Sequence, residues 1–173
     1  SKQSITREKV MHSISKRLSI GKNLIPDIKD LEEIVRMLYP IPRSILGEGF
    51  RESLRLLQDQ LSVPFVWHYV DSGTRVLDWI IPQEWVIKDA YILDPKGKKI
   101  ADFSKNNLHV VNYSCAVDKS ISLSELKQHL HTLPHMPNDI PYVASYYNRT
   151  WGFCISQNDS DNLTEGEYKV FIN

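Results

Sequence analysis

Apolar residues fall at two different spacings, and the change between them divides the chain. In the first third they recur at helical intervals. Leu31, Ile34, Val35 and Leu38 sit at i, i+3, i+4 and i+7 and predict a helix with one core-facing stripe. Phe50, Leu54, Leu57 and Leu61 repeat the pattern in a second helix. Asp30 and Glu33 frame the first helix as a capping box, the Asp30 carboxylate taking early backbone N–H groups while Glu33 reaches back. Pro40 and Pro42 end it, because proline has no N–H and clashes with the preceding turn. Upstream, Val10, Ile14 and Leu18 mark a short amphipathic helix.

From residue 64 the pattern becomes one of short β-branched and aromatic runs, at 65–70, 76–81, 86–93, 108–117 and 142–147. Turn-forming groups separate them: Asp71 to Gly73, Asp94 to Gly97, Lys105 to Asn107, and Pro137 to Asp139. Ser122 and Glu125 form a second capping box, which predicts one helix through about residue 130. Runs at 151–155 and 168–172 read as two more strands around a polar stretch with a short helix. The expected fold class is therefore α+β. N-terminal helices precede a small β-rich domain, an antiparallel sandwich or barrel-like sheet, with one short helix.

Composition narrows the function without naming it. The 173 residues are 42% apolar and 24% charged, enough for a real core, and the formal net charge is zero. A nucleic-acid binder shows a basic stripe, and only the extension has one: Lys2, Arg7, Lys9, Lys16, Arg17 and Lys22 against Glu8. That run reads as a solvated helix face. No apolar run reaches the length that crosses a bilayer. Cys115 and Cys154 are too few for a disulfide framework, so a cytoplasmic setting is expected. Four Asn-x-Ser/Thr sequons, at Asn112, Asn148, Asn158 and Asn162, pull the other way and carry little weight without a signal peptide.

Candidate chemistry is thin. His109, His129, His131 and His135 are the obvious metal donors, but His129 and His131 point to different faces of a helix and prolines put His135 on a loop. They read as ordinary core or surface histidines, and Cys154, inside an apolar strand, reads as an inert thiol. Gly47-Glu-Gly49 opens a helix but lacks the lysine and serine of a phosphate loop. Aromatic density is the more informative feature: Trp79, Trp85, Tyr91, Tyr146, Tyr147 and Trp151 all lie in the β region. If extended, adjacent Tyr146 and Tyr147 point to opposite faces.

Seven stretches carry a family resemblance in order and spacing: LYPIPRSILGEGFRESL at 38–54, SGTRVLDWIIPQEW at 72–85, DAYI at 89–92, NLHVVNYS at 107–114, LHTLP at 130–134, IPYVASYY at 140–147 and WGFC at 151–154. Together they resemble the bacterial aminopeptidase-like zinc exopeptidases, in the N-terminal portion that carries an inserted β-rich domain. Leu46, Pro42 and Ala144 depart from the usual threonine, cysteine and threonine, and the first thirty residues have no counterpart. The resemblance implies a basic extension at 1–29, a helical segment at 30–63 opening a peptidase-like domain, an inserted β-rich domain at 64–150, and strands at 151–173 leading back to that domain, truncated there. It further implies peptide or amide hydrolysis with zinc in the full-length family, the metal site outside this chain, and no cofactor, catalytic or metal-ligating residue within it. Arg43, Tyr146, Tyr147 and Trp151 are the expected substrate-binding residues, Arg43 holding a carboxylate by a bidentate pair. Partners are a C-terminal peptidase portion or another protein chain, a peptide-like substrate and a second copy, with neither nucleic acid nor membrane. The rival reading is a stand-alone, non-catalytic interaction or regulatory module derived from the same family.

Overall fold

Helices form where the 3.6-residue spacing predicts them. The computed structural model describes residues 28–60, 65–146 and 148–173, so the expected helix in the extension lies outside the described residues, as does Leu61. The chain divides into two compact units, one ending at Ile81 and the other spanning Pro82–Asn173.

In the first unit, α1 runs Ile28–Leu38 and α2 runs Glu48–Gln60. Because α1 begins at Ile28, Asp30 lies within its first turn and is not the cap that the capping-box reading makes it. The core-facing stripe is also narrower than its spacing implies. Ile34 and Leu38 are half-buried, but Leu31 and Val35 are 48% and 61% exposed, since the described residues supply no surface that covers them. Between the helices, Gly49 meets the turn so closely that a Cβ there would lie 2.2 Å from the Pro42 carbonyl oxygen, which excludes any larger residue. The run at 65–70 finds no strand partner among the described residues. Strand propensity is a fit to a neighbouring strand, and none is at hand. The next run folds back on itself as a hairpin of β1 Arg75–Val76 and β2 Trp79–Ile80.

The second unit is built on an open, antiparallel four-stranded sheet with no barrel closure, in the order β4, β3, β8, β5. Its strands are β3 Ala90–Leu93, β4 Lys99–Asp102, β5 Val117–Ser122 and β8 Glu167–Ile172. The α+β class is as expected, and the barrel-like detail is corrected to an open sheet. The β3–β4 turn is the one its residues prescribe. Asp94 Oδ1 accepts from the Lys96 and Lys98 N–H groups at 2.9 and 2.8 Å, and Gly97 takes φ 79. β8 shows strict alternation: Tyr168, Val170 and Ile172 are buried, and between them Phe171 turns outward to stack on Tyr91 at 5.1 Å.

One face of this sheet carries the core. Ala90, Ile92, Ile121, Tyr168, Val170 and Ile172 pack with Leu123 and Leu126 of α3 (Leu123–Lys127) and with Phe153 and Ile155. The Ser122 hydroxyl caps α3 by accepting from the Glu125 N–H at 3.3 Å, as its capping box predicts. A parallel pair, β6 Leu130–His131 beside β7 Phe153–Cys154, sets His131 opposite Cys154. The polar stretch after β7 holds the short helix α4 Gln157–Asp161, capped by Ser156. Two expected strands are absent as such. Residues 107–109 form a 3-10 turn with isolated bridges beyond it, and the described residues 142–146 contribute only a bridge at Ala144. The alternation that does build a strand lies further on, in the polar VDKSIS run of β5. Among the described residues no helix is long and apolar enough to cross a membrane.

Three outcomes follow from this core. Tyr168 is 1% exposed and its hydroxyl donates to the Thr164 carbonyl at 2.7 Å. Tyr168→Ala is expected to cost about 3–5 kcal/mol in urea unfolding, and Tyr168→Phe about 1 kcal/mol. Burial pushes the Cys154 thiol up to about 12. Iodoacetamide at about pH 8 should therefore alkylate Cys115 in the native protein and reach Cys154 only after unfolding, as read by mass spectrometry. Burial first, and the neighbouring His129 second, hold His131 below its ordinary 6.5. Below that value the unfolded chain takes up a proton that the folded chain refuses, so stability is full above it and falls with acid. His131→Gln should flatten that fall in unfolding curves taken between about pH 5 and 7.

Candidate functional site

The second unit gathers tyrosines around one parallel bridge. The Asn112 N–H donates to the Val143 carbonyl and the Ser145 N–H to the Asn112 carbonyl, both at 2.9 Å, which ties the 112–114 turn to 142–146. From this anchor the Asn112 amide donates to the Tyr142 hydroxyl at 3.0 Å. Tyr142 also sits against Tyr146, and its charge first, then its hydrogen bond, raises the Tyr146 hydroxyl above the usual tyrosine range. The rings continue inward: Tyr146 to Tyr113 at 5.7 Å, then Tyr113 to Trp85 at 6.0 Å, whose indole N–H donates to the Ser114 carbonyl at 3.0 Å.

Backbone strain is concentrated in the same place. Tyr113 and Tyr146 take φ 67 and 46, the left-handed region that a side chain with a Cβ enters at roughly 1–3 kcal/mol each. Two strained residues whose rings touch are held there by the bridge and by Ser145, whose hydroxyl donates to the Tyr113 carbonyl at 3.1 Å. Tyr146 is therefore not extended, and the alternation expected for it and Tyr147 does not apply. Tyr142 and Tyr146 stay exposed at the outer end of the row.

Trp151 belongs to a second aromatic group. Its ring stacks on His129 at 3.7 Å, meets Phe153 edge-on at 6.4 Å and lies under the Lys119 ammonium at 5.2 Å. Gly152 makes room for the crossing beside it, because a Cβ there would stand 3.0 Å from the His129 carbonyl oxygen and 3.2 Å from His131 Nε2. Of the four expected site residues, Tyr146 and Trp151 thus anchor different ring groups of the second unit. Arg43 lies in the first unit, exposed, with its guanidinium donating to the Leu38 carbonyl at the end of α1. Tyr147 lies outside the described residues.

The histidines are engaged in structure. His109 Nδ1 donates to the Cys154 carbonyl at 2.8 Å and His129 Nδ1 to the Trp151 carbonyl at 3.0 Å, while His135 is exposed on its loop. Among the described residues no three His, Cys, Asp or Glu side chains gather as a metal site would require, so these residues do not fit zinc. The arrangement offers ring faces, phenol hydroxyls and one amide, groups that bind and orient a ligand. The sequence marks Asn112 only as a sequon, and Tyr113 and Tyr142 only as members of the resembling stretches, not as binding residues. Tyr142 and Tyr146 stand four apart, a helical spacing, and what unites them is a turn with positive φ that no residue type announces.

Comparison with known proteins places this architecture. A protein of Clostridium acetobutylicum, provisionally named a polysaccharide biosynthesis protein with aminopeptidase-like domain, is 45% identical over 143 residues, which is 83% of this chain and 32% of that protein. A crystal structure of a provisionally assigned peptidase from Clostridium acetobutylicum matches 96% of this chain and 36% of its own, at 40% identity and a TM-score of 0.80. The chain thus spans about a third of the length of these relatives, and the shared fold is the one described above. Residues 84–173, more than half of the chain and nearly all of the second unit, match the family described as "Domain of unknown function (DUF2172)". By that match the chain belongs to the DUF2172 family.

Proposed function

We propose that this chain is the N-terminal part of an aminopeptidase-like zinc hydrolase that cleaves peptide or amide bonds, with the metal site in a portion outside this chain. One observation carries the reading: nearly the whole chain superposes, at 40% identity and a TM-score of 0.80, on about a third of a provisionally assigned peptidase. A cation held in that other portion would supply Lewis-acid polarisation of the scissile carbonyl and a more acidic bound water. The residues of this chain have a different task, which is to bind and orient substrate. Arg43, Tyr146, Tyr147 and Trp151 are the proposed substrate-binding residues, and Tyr113 and Tyr142 join Tyr146 by contact with it. The exposed Tyr142 and Tyr146 phenols suit a ligand with both apolar and hydroxyl or amide groups. A cytoplasmic setting belongs to the same proposal.

The test uses both lengths of chain. The purified 173-residue chain and the full-length Clostridium acetobutylicum relative are dialysed against zinc, assayed for bound metal and offered aminoacyl anilides. The longer protein is expected to hold zinc and release anilide, and the shorter to hold less than stoichiometric zinc and show no turnover above buffer. A short chain that binds one zinc per molecule and cleaves the substrate overturns the proposal, as does a full-length relative that holds zinc but leaves every amide intact.

A further inference from the structure

The hairpin of the first unit is held by its own hydrogen bonds, and most of its side chains are apolar and exposed. Arg75 pairs with Ile80 and Val76 with Trp79, and the Gly73 and Ile81 N–H groups donate to the Ile81 and Thr74 carbonyls at 2.8 and 3.0 Å. Every residue from 68 to 80 is exposed. Leu77 at the tip is 88% exposed and Tyr69 79%, with Val66, Val70, Val76, Trp79 and Ile80 exposed around them. Between 65 and 81 only Asp71, Arg75 and Asp78 are charged. Soluble proteins rarely leave an apolar patch of this extent open to water, and those that do use it for contact.

The tip adds a second observation. Leu77 is the first residue of the two-residue turn and takes φ 56, where hairpin turns call for glycine. A leucine there accepts backbone strain and full hydration together, and neither helps the hairpin to form. Its side chain gains only if another surface covers it.

We infer that the 65–81 face is a docking surface whose occupant is the remaining two thirds of the peptidase-like chain, the portion of the longer relatives that has no counterpart here. The inference rests on reading this chain as one part of such a hydrolase. The length of that remainder argues for it as occupant: the shared fold makes up only 32% and 36% of the two relatives. The charges of the face are sparse, so the opposing surface is apolar, with a recess for Leu77 and flat contacts for Trp79 and Tyr69 as anchoring aromatics.

Hydroxyl-radical footprinting with mass spectrometry tests this on the 173-residue chain and on the full-length Clostridium acetobutylicum relative. In the short chain the 65–81 peptide should oxidise at nearly the rate of an unfolded control, and the aligned segment of the longer protein about tenfold more slowly, as a desolvated contact would. Equal rates in the two proteins overturn the docking surface. Protection in the short chain that grows with its own concentration overturns the occupant and assigns the face to a second copy. Leu77→Gly should hold or raise the melting temperature of the short chain while reducing its binding of a hydrophobic dye, and a lower melting temperature would show that Leu77 serves the fold instead. The readout is burial, so a relative that proves inactive on amides leaves this result standing, and an exposed hairpin leaves the hydrolase reading standing.

Discussion

The second unit depends on one strand being inserted between two others. β8 pairs antiparallel with β3 on one side, from Ala90 opposite Ile172 to Leu93 opposite Lys169, and with β5 on the other, from Val117 opposite Ile172 to Ser122 opposite Glu167. Its alternate side chains Tyr168, Val170 and Ile172 form the floor on which α3 and the 153–155 segment rest. Without β8 the β3–β4 hairpin and β5 would each keep an unpaired edge, and a lone hairpin is marginal in water. The aromatic clusters inherit their positions from that floor. Trp151 enters through the crossing that delivers Phe153 to the core, and Tyr113 through the turn that follows Val110 and Val111.

How far the fold could be read in advance depended on whether a local signal had a local cause. The Ser122 cap, the Asp94 to Gly97 turn and the alternation of β8 are settled by residues within four or five positions of each other, and all three appear as their chemistry dictates. Partner choice is not local. The run at 65–70 has every mark of a strand and no strand beside it among the described residues, while the polar VDKSIS run becomes β5 because β8 is there to pair with it. The α1 stripe fails for the same reason, its spacing being sound and its covering surface lacking among the described residues. The α+β class survived because it needs only the inventory of elements, and the barrel-like detail did not, because closure is a property of pairing.

The candidate site divides along the same line. Tyr146 and Trp151 drew notice as amphipathic aromatics in a β-rich region, a matter of residue type alone. The grouping of Asn112, Tyr113 and Tyr142 was not legible because what assembles them is a parallel bridge and two left-handed tyrosines. Ordinarily glycine or asparagine flags such a conformation, and here neither stands at the strained positions. The strain is tolerated because the bridge hydrogen bonds and the Ser145 hydroxyl hold both turns from either side. A rigid mount of that kind suits a binding face, since rings fixed before a ligand arrives have less freedom to lose when it does.

The central place of β8 also bears on how the molecule comes into being. Its partners β3 and β5 are made tens of residues earlier, so during synthesis both wait with a vacant lane between them until Ile172 has left the ribosome. Closing so wide a loop is slow beside the formation of the α3 turn or the β3–β4 hairpin, and contacts of this range dominate the sheet. For that interval the nascent chain exposes two unpaired strand edges, the kind of surface that favours aggregation.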